Sequence, residues 1–161
     1  MSTASSIKAL ADELGFDIGS STVELVRAWG NGPSGKFSRR YISTLDIIQN
    51  CGANPIAGQA IVANLRATAS SPEPLLADLM PYVEGQAARA TDDGERQYGV
   101  NIGNENVRGW LTALGADVNY ALTSSDATEL LALATEKTVW QDAGISENTI
   151  HDNHILEAIS L

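Results

Sequence analysis

From Ile7 to Ile159 the apolar side chains recur at intervals of three and four residues, and nearly every such run is cut off by glycine, proline or asparagine within a few turns. A chain so punctuated can build short helices, each with one apolar stripe to bury, but no long bundle. Ile7, Leu10, Ala11 and Leu14 follow the cap candidates Ser5 and Ser6 and stop at Gly15. Ser20-Ser21-Thr22 precedes Val23, Leu25, Val26 and Trp29, and Gly30-Asn31-Gly32-Pro33 ends that run. Ser38 opens a further helical stretch with Tyr41, Ile42, Leu45 and Ile48, closed by Asn50-Cys51-Gly52. Asn54-Pro55 restarts the chain in the order cap, then proline at the first helical position, and Ile56, Ala60, Ile61, Leu65 and Thr68 line one face.

The two prolines of Ser70-Ser71-Pro72-Glu73-Pro74 mark a turn. Leu75, Leu76, Leu79, Met80, Val83 and Ala87 resume the helical period, with a kink expected at Pro81. Residues 91–104 read as a long loop in which Tyr98, Val100 and Ile102 alternate, leaving room for one short strand near 98–102. Asn104 caps a helix through Val107, Trp110, Leu111 and Leu114 that Gly115 terminates. Ser124-Ser125-Asp126 caps a Leu/Ala-rich helix through Ala134, and a last helix runs from Ile145 or Ser146 to Ile159. The sequence thus predicts an all-α fold, a single domain over 1–161 with six to eight short helices, the stretch 70–74 being the place for a subdivision.

Hydrophobic residues make up 43% of the 161, enough for one core. The net charge of −10 is uneven: residues 1–91 hold seven basic and eight acidic side chains, residues 92–161 three and twelve. That balance repels phosphate backbones and anionic lipid, so the expectation is no nucleic acid and no membrane. No apolar run approaches the roughly 20 residues of a spanning helix, and Met1–Lys8 lacks the pattern of a secretory signal. Cys51 is the only cysteine, which excludes an intrachain disulfide and a cysteine-based zinc site.

Gly30-Asn31-Gly32-Pro33-Ser34-Gly35-Lys36 has the spacing of a phosphate-binding loop up to its lysine, but Phe37 stands where a Ser or Thr hydroxyl is needed and Pro33 removes a donor. It reads as a surface turn. His151 and His154 lie three apart beside Glu147, Asp152 and Glu157, without a third His or Cys to complete a tetrahedral set, and read as an exposed polar face. Cys51 has no local signature of a nucleophile and reads as a small buried residue. No catalytic residue, metal ligand or cofactor is expected. The one basic cluster is Lys36, Arg39 and Arg40, flanked by Phe37 and Tyr41; it reads as a solvated face or as a contact for the acidic half of a neighbouring copy. Trp29, Trp110 and Trp140 are core candidates, with Trp140 assigned to an interface because 138–144 looks like a connection between helices.

Asn106-Val107-Arg108, Trp110-Leu111, Glu129-Leu130-Leu131-Ala132-Leu133-Ala134 and Trp140-x-x-Ala143-Gly144-Ile145, followed by a short helix, resemble the C-terminal part of small helical proteins encoded among the virion genes of tailed bacteriophages. The resemblance covers residues 104–155 and implies a structural or interaction subunit located in the virion, a homo-oligomer whose partners are copies of itself or other virion proteins. The expected interface comprises Asp92, Asp93, Glu95, Tyr98 and Trp140 with Lys36, Arg39 and Arg40, its assembly weakening with salt. The alternative is a cytoplasmic ligand-binding or enzymatic helical domain with its site assembled from residues distant in sequence.

Overall fold

The computed structural model describes residues 2–70 and 74–161, so Ser71-Pro72-Glu73 of the expected proline turn lies outside the described residues. In chain order the elements are α1 (Thr3–Glu13), α2 (Val23–Gly30), β1 (Pro33–Phe37), β2 (Tyr41–Ile42), α3 (Thr44–Asn50), α4 (Pro55–Ser70) and α5 (Pro74–Val83). There follow β3 (Arg89–Ala90), β4 (Arg96–Gln97), β5 (Val100–Asn101), α6 (Glu105–Ala116) and α7 (Ser124–Leu131). The chain ends with β6 (Glu136–Thr138), α8 (Val139–Asp142), a 3₁₀ turn (Glu147–Thr149) and α9 (Asp152–Ser160). Helix dominates, as expected, with more strand than the one short stretch foreseen near 98–102. Among the described residues six short strands pair two by two, β1 with β6, β2 with β5 and β3 with β4.

Two compact units form, one from residues 1–36 and 136–161, the other from the continuous stretch 37–135. The apolar residues correspondingly collect into two cores instead of the single one expected. In the first unit Ala4, Ile7 and Ala11 of α1 pack with Ile18, Val26, Trp140, Ile150, Ile155 and Ala158. In the second, Ile47, Ile61, Val62, Leu65, Leu76, Met80, Leu111, Leu114 and Leu130 form the centre, with Ile42 and Ile102 from the strands. The charge asymmetry along the sequence does not survive this division. The first unit holds four basic and nine acidic residues and the second six and eleven, so each carries −5.

Local chemistry explains where the elements start. Thr22 accepts from the Leu25 N–H at the head of α2, and Asn104 accepts from the Asn106 and Val107 N–H groups at the head of α6. For α3 the cap is Ser43, not Ser38: its hydroxyl accepts from the Asp46 N–H while the Asp46 carboxylate accepts from the Ser43 N–H, a full capping box. Tyr41 and Ile42 are thereby left outside the helix and form β2. A second capping box joins Thr123 and Asp126 ahead of α7, one residue before the expected cap. Pro81 lies inside α5, which ends at Val83, and its carbonyl accepts from the Gln86 and Ala87 N–H groups. The helix stops where a kinked continuation to Ala87 was expected.

Candidate functional site: an arginine and tyrosine pocket

The stretch read as a long loop, 91–104, is largely ordered by pairing. β3 and β4 form an antiparallel hairpin with Arg89 opposite Gln97 and Ala90 opposite Arg96. Its turn is closed by the Thr91 N–H donating to the Glu95 carbonyl and the Gly94 N–H to the Thr91 carbonyl. The strand expected near 98–102 is β5, which pairs with β2 so that Tyr41 faces Asn101 and Ile42 faces Val100. Because successive strand residues point to opposite faces, Ile42 enters the core while Tyr41 stays on the outer side. Gly99 is required between the hairpin and β5. It has φ +83°, and a Cβ there would sit 2.5 Å from the Ile42 carbonyl oxygen.

These pairings, with the end of α5 and the start of α6, enclose an open pocket of about 530 Å³ in the second unit. Its lining includes Arg39, Tyr41, Tyr82, Arg89, Asn101 and Asn104, over the apolar side chains of Leu79, Val100 and Val107. The polar inventory is one-sided. Asn101 Oδ1 accepts from the Arg40 and Gly103 N–H groups at 3.0 and 3.1 Å. Asn104 Oδ1 is committed to the head of α6 at 3.0 and 3.2 Å. Both amides therefore keep only their N–H donors for anything else. The Arg89 guanidinium lies 4.8 Å from the Tyr41 ring centroid, a cation–π arrangement that holds it beside the pocket.

Three of the other four arginines of this unit have polar partners, and Arg96, on β4, has none from its side chain among the described residues. Arg40 pairs with Asp46 at 3.0 Å, Arg66 pairs with Glu84, and Arg108 donates to the Ile102 and Leu131 carbonyls while covering the Phe37 ring. Neither the Arg39 nor the Arg89 guanidinium has a hydrogen bond or ion pair among the described residues. The lining of this pocket contains no carboxylate. Two guanidiniums, two amide donors and two phenols in a chain of net charge −10 define an anion-accepting recess.

The expected interface residues are dispersed. In the second unit Arg39 lines the pocket and Arg40 is tied to Asp46, and in the first unit Lys36 lines a groove. Asp92 borders an adjoining recess with Arg39 and Arg89, and Asp93 is exposed on the same turn. Glu95 and Tyr98, the latter 44% exposed, flank a shallow groove beside Arg96. Trp140 is corrected outright. It is 1% exposed in the first unit's core, edge-on to Trp29 at 5.3 Å, and presents no surface for a partner. Sequence reasoning missed Tyr82 and Arg89 and noticed Asn104 only as a cap.

The remaining motifs have structural occupations. Residues 30–36 end α2 and form most of β1 instead of a surface turn, with Gly30 buried against the Trp140 ring. His151 precedes α9 and its N–H donates to His154 Nδ1 at 3.3 Å, while Asp152 accepts from Arg27. No group of three His, Cys, Asp or Glu among the described residues is placed to hold a metal ion. Cys51 is buried after α3, where desolvation, with the Glu129 and Asp46 carboxylates nearby, pushes its thiol up to about 11. No described helix is long and apolar enough to cross a membrane. No family model, curated protein or solved structure matches the chain. The stretch 104–155 spans parts of both units, α6 and α7 in one and β6, α8 and the start of α9 in the other.

Proposed function

We propose that the chain is a structural or interaction subunit of a tailed-phage particle and works through protein–protein contacts between copies or with other virion proteins. One observation carries the reading: in an acidic chain Arg39 and Arg89 meet in a recess whose lining offers donors and no carboxylate, Asp92 standing only in the adjoining recess. An unpaired charge gains most from an external anion when the site also excludes water, and oriented charge pairs set register and encounter rate between subunits. The resemblance over 104–155 supplies the setting.

Sedimentation velocity at low and high salt tests it, comparing the native chain with Arg39→Ser/Arg89→Ser. The native chain is expected to associate, less so as salt screens the contact, and the double variant to remain monomeric. A native chain that is monomeric throughout and absent from purified particles overturns the proposal. A second reading is favoured by the pocket's size, which lies in the range of small-ligand sites. It makes the chain a cytoplasmic binder of a small dicarboxylate or phosphate. Thermal shift separates the two, since a ligand at 100 times its dissociation constant stabilises by about 2.7 kcal/mol.

A further inference from the structure

α6 connects two features of opposite character. At its head are Asn104 and Val107, both in the pocket lining. Immediately past its tail is the corner Asp117-Val118-Asn119, where Val118 is 96% exposed, more than any other large apolar side chain described. A valine so displayed gains nothing from its own fold, and it sits next to a carboxylate. The corner is also stiff: Asp117 Oδ1 accepts from the Asn119 backbone N–H at 2.9 Å and from Asn119 Nδ2 at 2.8 Å. The Tyr120 N–H donates to the Asp117 carbonyl. Those hydrogen bonds engage one carboxylate oxygen and leave Oδ2 for an outside donor. A pre-ordered corner loses little conformational freedom on binding.

We infer that the Asp117-Val118 corner of one copy docks in the Arg39–Arg89 pocket of a second copy. This rests on the reading of the chain as a self-associating subunit and names the surface it uses. The complementarity is twofold. Asp117 supplies the carboxylate that the pocket's lining lacks beside its two guanidiniums and the Asn101 and Asn104 amides, and Val118 meets the apolar side chains of Leu79, Val100 and Val107. The exposed acids of the β3–β4 turn have no apolar neighbour to offer, and Asp92 already borders its own Arg39 and Arg89. The pocket and the corner lie at opposite ends of a helix of 12 residues, roughly 18 Å apart at 1.5 Å per residue. Each docked copy therefore still presents a free corner or a free pocket. The contact is heterologous and propagates into a ring or a filament.

The test uses two full-length variants. Arg39→Ser/Arg89→Ser removes the pocket's charge and keeps the corner; Asp117→Asn/Val118→Ser removes the corner's charge and apolar tip and keeps the pocket, with asparagine retaining the oxygen that holds the turn. Unchanged circular dichroism and thermal unfolding establish that both fold. Each alone should associate about tenfold or more weaker than the native chain, the effect of losing a central interface residue. Mixed, they should form one-to-one dimers that grow no further, because the single intact pocket meets the single intact corner. If the corner variant assembles like the native chain while the pocket variant does not, the pocket reading stands and the corner is the wrong occupant. If the mixture forms no dimer where the native chain assembles, the head-to-tail contact is wrong.

Discussion

Replacing Gly30 with alanine sets two effects of opposite sign against each other at one residue. Alanine is the better helix former, and at an interior position the exchange gains about 1 kcal/mol. At Gly30, the last residue of α2, a Cβ would stand 1.7 Å from Trp140 Cε2 and 2.0 Å from Cζ2. Ordinary carbon contacts are about 3.5–4 Å, so the indole has to retreat by roughly 2 Å. It has nowhere to go without cost: Trp140 is buried edge-on against Trp29, which itself stacks on Phe16 at 4.5 Å and 8°. Overpacking a close-packed interior costs about 1–3 kcal/mol, and expulsion of the ring approaches the 3–5 kcal/mol of deleting a buried tryptophan. Sterics therefore win, with a net loss of about 2 kcal/mol or more. At about 4–8 °C per kcal/mol for a unit of this size, the first unit's transition falls by roughly 10 °C in calorimetry. The near-ultraviolet dichroism of the tryptophans should change with it. The control is Gly109→Ala in α6, where nothing lies within 4 Å of the added atom and a gain of about 0.5–1 kcal/mol is expected. A Gly30→Ala protein as stable as the native one with an unaltered tryptophan signal would refute the packing described for this core.

Two further outcomes follow from single buried groups. Thr68 is fully buried, its hydroxyl donating to the Asn64 carbonyl at 2.8 Å and accepting from the Leu122 N–H at 3.0 Å. Thr68→Val keeps the shape but strands that N–H, so urea unfolding should show a loss of about 1–3 kcal/mol, with Thr68→Ser milder. The Cys51 thiol, raised from 9.0 to about 11, stays neutral in the fold over a range where the unfolded chain ionises. Stability is thus complete below pH 9 and declines as pH rises through 11, by about 3 kcal/mol in all. Cys51→Ala should lack that decline, read as the difference between the two stability curves from pH 8 to 11.5.

What could be read from the sequence was chemistry confined to a few neighbouring residues. The caps at Thr22 and Asn104 and the Pro55 start of α4 follow from side chains that satisfy adjacent backbone groups, and the structure places them as expected. Errors arose where two local signals competed. Tyr41 and Ile42 share helical spacing with Leu45 and Ile48, yet Ser43-x-x-Asp46 is a capping box that starts the helix after them. The β3–β4 hairpin lay within the stretch read as a long loop, because its strands are only two residues long and show no alternation to detect. The pocket was beyond reach for a different reason. Arg39 and Tyr41 are brought to Asn101 and Asn104 by a strand pairing between residues about 60 apart, which no window of sequence contains. The division into two cores is of the same kind, depending on β1 finding β6 across the whole intervening unit.

That last pairing makes the two units unequal in how they depend on each other through the chain. The second unit is continuous, and its ends are already joined by the Ser38 N–H donating to the Thr135 carbonyl at 2.8 Å. Folding it requires no element from outside. The first unit must bring β1 and β6 together across everything between them. When the inserted stretch is folded, its neighbouring ends do this at little cost; when it is unfolded, β1 and β6 close a loop of about 100 residues. By the (3/2)RT ln n dependence, that closure costs about 3 kcal/mol more than closing a five-residue turn. Leu130→Ala, a cavity in the second unit's core worth about 2–5 kcal/mol, should therefore lower the second unit's transition and, once that unit has melted, the first unit's as well. Gly30→Ala should lower the first unit's transition and leave the second's unchanged. A fragment spanning residues 37–135 should unfold at the temperature of the second unit in the intact chain, followed by Trp110 fluorescence. Loss of structure in that fragment, or an equal response of both transitions to Gly30→Ala, would show that the units are coupled by more than chain connectivity.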